Sequence, residues 1–224
     1  MSFFNKKLTS KKYFKILQNN FSKKFILENF GMLIGDKSFH RFMKLSEILN
    51  QTKNIKGDII EFGIWNGNNL FSIKKIVDYL KIKKKIYGFD NFSGFPNPQK
   101  MKKNIKGKYI GRPQLIKKII SFFNLKKIFI INDDIMNISR YKKRFKKISF
   151  IYIDCNVYSV VEKVLNEMNN LISSGGVIAF DEARNKFNTD EGRAMIKFYK
   201  KNKKNYRLIK LDSNYQPDAI LIKK

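Results

Sequence analysis

Two short apolar runs, residues 148–153 and 177–180, each end in acid: Asp154 after the first, Asp181 and Glu182 after the second. Runs this short and this apolar read as buried parallel strands, and neighbouring strands of a doubly wound sheet open on one edge. Three carboxylates converging there, with no arginine close by in sequence, would repel one another. A hard divalent cation relieves that repulsion. Mg²⁺ and Ca²⁺ take oxygen ligands, and Mg²⁺ keeps positions open for water or substrate. With one histidine and one cysteine in the chain, a structural zinc site of the usual nitrogen and sulfur type is excluded. The plainer alternative is that the acids cap the helices that follow.

A second constellation lies upstream. Residues 59–62 form a short apolar run bearing Glu61, then Gly63 and Gly67 stand four apart, and Phe71, Ile73, Ile76, Val77 and Leu80 follow at helical spacing. Strand, glycine turn, helix is how an α/β sheet builds a nucleotide-binding corner. Glycine lets a ligand approach the backbone, and free N–H groups at the helix start can meet its anionic group. The dinucleotide fingerprint G-x-G-x-x-G is absent; Glu61-x-Gly63-x-x-x-Gly67 stands in its place. A further strand, residues 85–90, ends in Asp90, where nucleotide sheets place a carboxylate for the two ribose hydroxyls. An ordinary turn-starting Asp is the alternative.

The elements that must position these groups follow from periodicity. Phe14, Leu17, Phe21, Phe25 and Ile26, then Phe42, Leu45, Ile48 and Leu49, predict two or three helices in residues 1–56 that help cover the site. Residues 100–112 carry lysines and glycines with little periodicity and read as a lid. Pro113 opens a helix with Leu115, Ile116, Ile119, Ile120 and Phe123 on its buried face. Residues 127–131 form a third strand ending at Asn132, Asp133 and Asp134. Val161, Val164, Leu165, Met168 and Leu171 mark the helix after Asp154, and residues 173–176 read as the turn before the next strand. Thr189-Asp190-Glu191-Gly192-Arg193 opens another helix, its acids suited to the first turn. Residues 206–211 and 218–222 read as an antiparallel closing hairpin. His40 is more often surface or core material than a base, and Cys155 reads as a buried filler.

The chain has 224 residues and a net charge of +29. That charge invites a nucleic-acid reading. The excess is mostly lysine and is spread along the whole chain with many Asn, Ile and Phe. Recognition of bases and phosphates favours the arginine fork, so compositional bias is the preferred explanation and no specific nucleic acid is expected. A single cysteine fits a reducing, cytoplasmic setting. No apolar stretch follows the basic N-terminus, so no secretory signal is expected, and no run is long enough for a transmembrane helix.

Four motifs together resemble one family. Gly57-Asp58-Ile59-Ile60-Glu61-Phe62-Gly63-Ile64-Trp65-Asn66-Gly67, Asp90-Asn91-Phe92-Ser93-Gly94-Phe95-Pro96, Ile153-Asp154-Cys155-Asn156-Val157-Tyr158 and the stretch 175–182 ending in Asp181-Glu182 occur in order. They are similar to the signatures of the macrocin O-methyltransferase (TylF/MycF) family of class I S-adenosylmethionine (SAM) methyltransferases. The resemblance runs over about residues 40–200. It implies an α/β, Rossmann-like doubly wound seven-stranded sheet, last strand antiparallel, over residues 57–224, behind a helical extension 1–56. It implies SAM held by Glu61, Gly63, Trp65, Gly67, Asn68, Asp90, Asn91 and Phe92, with Asp133 near the adenine. It implies Mg²⁺ held by Asp154, Asp181 and Glu182, Asp154 and Asp181 being catalytic, and a sugar hydroxyl of a small molecule or glycan as methyl acceptor. Homo-oligomer formation stays open. Two positions depart from the pattern: Asn156 stands where the family has a second Asp, and Glu182 where it has Asp or Asn. Val157 stands where catechol enzymes carry a lysine, so the proton acceptor is open. The rivals are a metal-independent nucleic-acid methyltransferase and a basic binding module whose cofactor pocket has decayed.

Overall fold

Seven strands form one sheet in the order β3-β2-β1-β4-β5-β7-β6 in the computed structural model, which describes residues 19, 21–28, 34–95, 109–183, 189–211 and 215–224. The strands are β1 (Asp58–Phe62), β2 (Ile86–Asp90), β3 (Ile128–Asn132), β4 (Ile148–Ile153), β5 (Ile172–Phe180), β6 (Tyr206–Lys210) and β7 (Ala219–Lys223). β1 to β5 run parallel, and β7 is antiparallel to both neighbours, β5 and β6. β4 is buried at every position, as a strand covered on both faces must be.

The helices divide between the two faces. α2 (Asp36–Thr52), α3 (Asn68–Tyr79) and α4 (Pro113–Phe122) bury Leu45, Leu49, Leu70, Ile73, Val77 and Ile116 against one face. α5 (Tyr158–Met168), α6 (Asp190–Lys201) and the 3₁₀ segment Ile135–Arg144 cover the other with Val161, Leu165, Met195, Phe198 and Ile138. α2 therefore packs in the same layer as α3 and belongs to the core. Of the N-terminal pattern, α1 (Lys23–Glu28) is present with Phe21 stacked on Phe25, while Phe14 and Leu17 lie outside the described residues.

One boundary differs from expectation. Residues 173–176 are not a turn but the first part of β5. The register with β4 slips there, from Ile148 opposite Ile172 to Phe150 opposite Val177. Gly175, at φ +77°, takes up the surplus residues, as a bulge does. Among the described residues, no helix is long and apolar enough to cross a membrane.

Candidate active site

The sheet's hydrogen-bond ladder continues past the strand ends and fixes the site's backbone. Gly63 N–H donates to Phe89 O at 2.9 Å, Asp154 N–H to Phe62 O at 2.9 Å, Asp181 N–H to Ile153 O at 3.0 Å, and Asp133 N–H to Asp90 O at 3.2 Å. Around this edge lies a cavity of about 290 Å³.

On one side is the cofactor corner. Gly63 has φ +86°, and a Cβ there would lie 2.0 Å from Asp154 O, so no other residue fits. Trp65 is also left-handed. Its amide donates to Asp90 Oδ2 at 2.7 Å, while the Phe92 amide donates to Oδ1 at 2.8 Å. Each oxygen keeps a second lone pair for a diol. The Trp65 indole donates to Ile110 O at 3.2 Å, and its ring meets Tyr109 edge-on. A bridge pairs Ser93 with Ile110. The expected lid therefore has its two flanks tied to the corner; residues 100–108 lie outside the described residues.

Gly63, Trp65, Asp90 and Asn91 line the cavity; Glu61, Gly67, Asn68, Phe92 and Asp133 do not. Gly67 is the N-cap of α3 and Asn68 is exposed. The neighbouring Asn69 is the buried one, donating to Glu61 Oε1 at 3.1 Å. Glu61 Oε2 is buried and has no partner among the described residues, and burial raises its pKa well above the usual carboxylate range. Phe92 packs into the core. The Asp133 carboxylate is taken by Tyr141 Oη at 2.8 Å and Asn137 Nδ2 at 2.9 Å, and Asp134 and Ile135 line the cavity instead. The residues of this corner suit a nucleoside cofactor such as SAM by their chemistry: a glycine where a Cβ is forbidden and, in Asp90, a cavity-lining carboxylate with spare lone pairs.

On the other side is the acid edge. Asp154, Asp181 and Glu182 all line the cavity. Burial first, then the nearby Asp181, pushes Asp154 up to about 8, and Asn156 Nδ2 donates to Asp154 Oδ1 at 3.2 Å. Burial also raises Asp181. Asp181 Oδ1 accepts from Tyr152 Oη at 2.5 Å and pairs with Arg41 Nη2 at 3.0 Å. The same Nη2 donates to Gln216 Oε1 at 3.1 Å, and Gln216 Nε2 donates to Glu182 Oε1 at 3.1 Å. Beneath them lies Glu191, fully buried. Its Oε1 accepts the amides of Cys155 (2.9 Å) and Asn156 (3.1 Å), and its Oε2 that of Glu182 (3.0 Å). One carboxylate thus staples the β4 and β5 ends together.

The three acids lie along one edge, yet they do not form a ligand cage as placed. Among the described residues no group of three or more His, Cys, Asp or Glu is arranged to hold a metal ion. Arg41, Tyr152 and Gln216 instead occupy oxygens of Asp181 and Glu182. His40 does not line the cavity; its ring packs on Tyr215 and burial lowers its pKa. Cys155 is buried, with its thiol pushed up by that burial, and it is among the residues lining the cavity.

Sequence reading missed Arg41, Tyr152, Gln216, Glu191 and Asn69. Arg41 did carry a signal: it stands four residues before Leu45 and seven before Ile48, on the stripe α2 buries. Glu191 was visible only as a helix-start acid.

Residues 28–123 match the model of the macrocin-O-methyltransferase (TylF) family. No curated protein matches. Among solved structures, the calicheamicin methyltransferase CalS11 superposes with TM-score 0.78 at 17% identity, over 95% of this chain and 90% of that one. The O-methyltransferase NovP gives 0.66 at 14% identity, over 86% and 81%. An O-methyltransferase from Bacillus cereus in complex with SAH gives 0.61 at 12% identity, over 97% and 92%. Residues 28–123 thus carry the macrocin-O-methyltransferase pattern that the sequence motifs resemble, and the seven-stranded sheet shares its fold with these methyltransferase structures.

Proposed function

We propose that the chain transfers the methyl group of SAM to a hydroxyl of a sugar or glycosylated small molecule. The observation that carries this reading is a single cavity lined by both Gly63, Trp65 and Asp90 on one side and Asp154 and Asp181 on the other. A cofactor held by the first set and a hydroxyl held by the second would share one volume. A second structure of CalS11, its apo form, is that of a TDP-rhamnose 3'-O-methyltransferase (TM-score 0.73, 19% identity, over 95% of this chain and 92% of that one), which supports a sugar as acceptor.

SAM, when bound, supplies an electrophilic methyl on a sulfonium. The chain's own residues do the rest. Asp90 offers its free lone pairs to the ribose diol. Asp154 takes the acceptor's proton; shielded from water, it is a stronger base than a solvated aspartate. Asp181, fixed by Arg41 and Tyr152, orients the acceptor beside it. Holding donor and acceptor in a near-attack geometry supplies several kcal/mol. Magnesium assistance, which the resemblance implies, would use Asp154, Asp181 and Glu182. Because Arg41, Tyr152 and Gln216 already engage two of these acids, the proton transfer is assigned to Asp154 alone. The buried, unpaired Cys155 suits a cytoplasmic setting.

The test is thermal shift with SAM, SAH and NAD, followed by labelled SAM offered to free sugars, nucleotide-linked sugars and RNA. Stabilisation by SAM and SAH alone, with label entering a sugar hydroxyl, is the expected result. Label entering RNA, or no stabilisation by SAH, overturns the reading.

A further inference from the structure

We infer that Arg41 is the resident counter-ion of the acid edge and keeps a divalent cation out of it. The inference concerns the cavity just described and rests on its reading as a methyl-transfer site.

The geometry is specific. A carboxylate oxygen has two lone pairs, and Asp181 Oδ1 has committed both, to Tyr152 Oη at 2.5 Å and Arg41 Nη2 at 3.0 Å. The Glu182 carboxylate is drawn to Gln216, which itself accepts from the same guanidinium nitrogen. The side chains of Arg41 and Asp181 are 22% and 6% exposed, so the pair is largely shielded from solvent. Asp154 and Glu61 also lie within the guanidinium's field. Arg41, delivered by packing, therefore faces both Asp154 and Asp181 in the cavity, and Lys37 is a second, weaker cation on its lining.

Arg41 is held there by the core. It continues the α2 stripe of Leu45, Ile48 and Leu49, all buried against the sheet. A small divalent ion needs several oxygens at close, near-octahedral positions. To gain Asp181 Oδ1 it must first expel Arg41, leaving a largely buried guanidinium with Gln216 but without a carboxylate partner. The chain thus carries in its fold the positive charge that a metal would otherwise bring, and α2 is part of the acceptor side of the site.

Mn²⁺ binding, followed by electron paramagnetic resonance in the apo protein, tests this on wild type, Arg41→Met and Arg41→Lys, with SAH affinity measured in parallel. The expected result is weak, millimolar Mn²⁺ binding by wild type and by Arg41→Lys, at least about tenfold tighter binding by Arg41→Met as the competing charge is removed, and SAH affinity within about threefold throughout. Micromolar binding of Mn²⁺ by wild type, or no tightening in Arg41→Met, overturns the inference. Should Arg41→Met fail to melt cooperatively, Arg41→Gln carries the same expectation, because it keeps a donor for Asp181 without the charge. Absence of SAH binding in wild type would sink the methyl-transfer reading instead, and the Mn²⁺ comparison would still decide the role of Arg41.

Discussion

The cofactor corner and the acid edge hang from the same sheet but are held in opposite ways. At the corner, the polar contacts of Asp90 and Glu61 stay within one strand–turn–helix unit and the end of the strand beside it: Asp90 takes the amides of Trp65 and Phe92, and Glu61 takes Asn69 eight residues on. At the edge, they reach across the chain. Arg41 and Gln216 are 175 residues apart, Glu191 and Cys155 are 36 apart, and Tyr152 and Asp181 are 29 apart. The corner is specified by one strand–turn–helix unit and its neighbour strand. The edge exists only when α2, β4, β5, α6 and the β6–β7 connection have all docked. Cofactor binding is therefore expected to be robust to damage at the edge, whereas turnover depends on the whole fold.

Substitutions that strike one region and spare the other put this contrast at risk. Asp154→Asn should show the largest effect, a fall in kcat of about 10²–10⁴-fold, the range for losing a positioned proton acceptor, with SAH affinity by calorimetry unchanged. Equal losses in both would mean that the two regions are not separable. Glu191→Ala comes next. It leaves three strand-end amides, that of Cys155 buried and those of Asn156 and Glu182 partly buried, without their acceptor and should lower unfolding free energy by about 2–4 kcal/mol in urea titration. Turnover should fall with it, although Glu191 does not line the cavity; a stable, fully active variant would remove the staple from the account. Asp90→Ala should weaken SAH binding by about 1–3 kcal/mol through lost hydrogen bonds, while kcat at saturating SAM stays near wild type. A collapse of kcat there would tie the corner to the chemistry itself.

The smallest effect belongs to a site remote from both regions. Hydrogen bonds from Lys163 and Ser139 hold Glu167 down at about 2. A depressed carboxylate stabilises the fold above its unfolded pKa of about 4.5, and that contribution is lost as pH falls towards 2. Glu167→Gln should therefore cost under about 1 kcal/mol near neutral pH, as surface pairs do, and melt like wild type in strong acid, with cofactor affinity and turnover unaffected.

What was legible in the sequence follows the same divide. The strands could be placed along the chain because each is a short apolar run with a clear turn beyond it, and the corner could be read because its residues fall in one strand–turn–helix unit and at the end of the next strand. The start of β5 was misjudged because Gly175 and Gly176 signal a turn as strongly as they signal a bulge. Asn68 was expected where Asn69 is buried, and Asp133 where Asp134 lines the cavity; each is a one-residue shift in facing, which spacing alone does not resolve. The counter-charge at Asp181 was sought nearby in sequence, but Arg41 arrives from α2, the helix that precedes β1.

The ladder that runs one residue beyond the strands divides positions that can drift from those that cannot. Gly63, Asp133, Asp154 and Asp181 have their amides bound into the sheet, so they cannot swing to meet an acceptor of a different shape. Arg41 and Gln216 approach from outside the ladder on side chains alone. A lineage that changed its acceptor while keeping its chemistry would have to write that change in α2 and in the connection before β7, leaving the strand ends untouched.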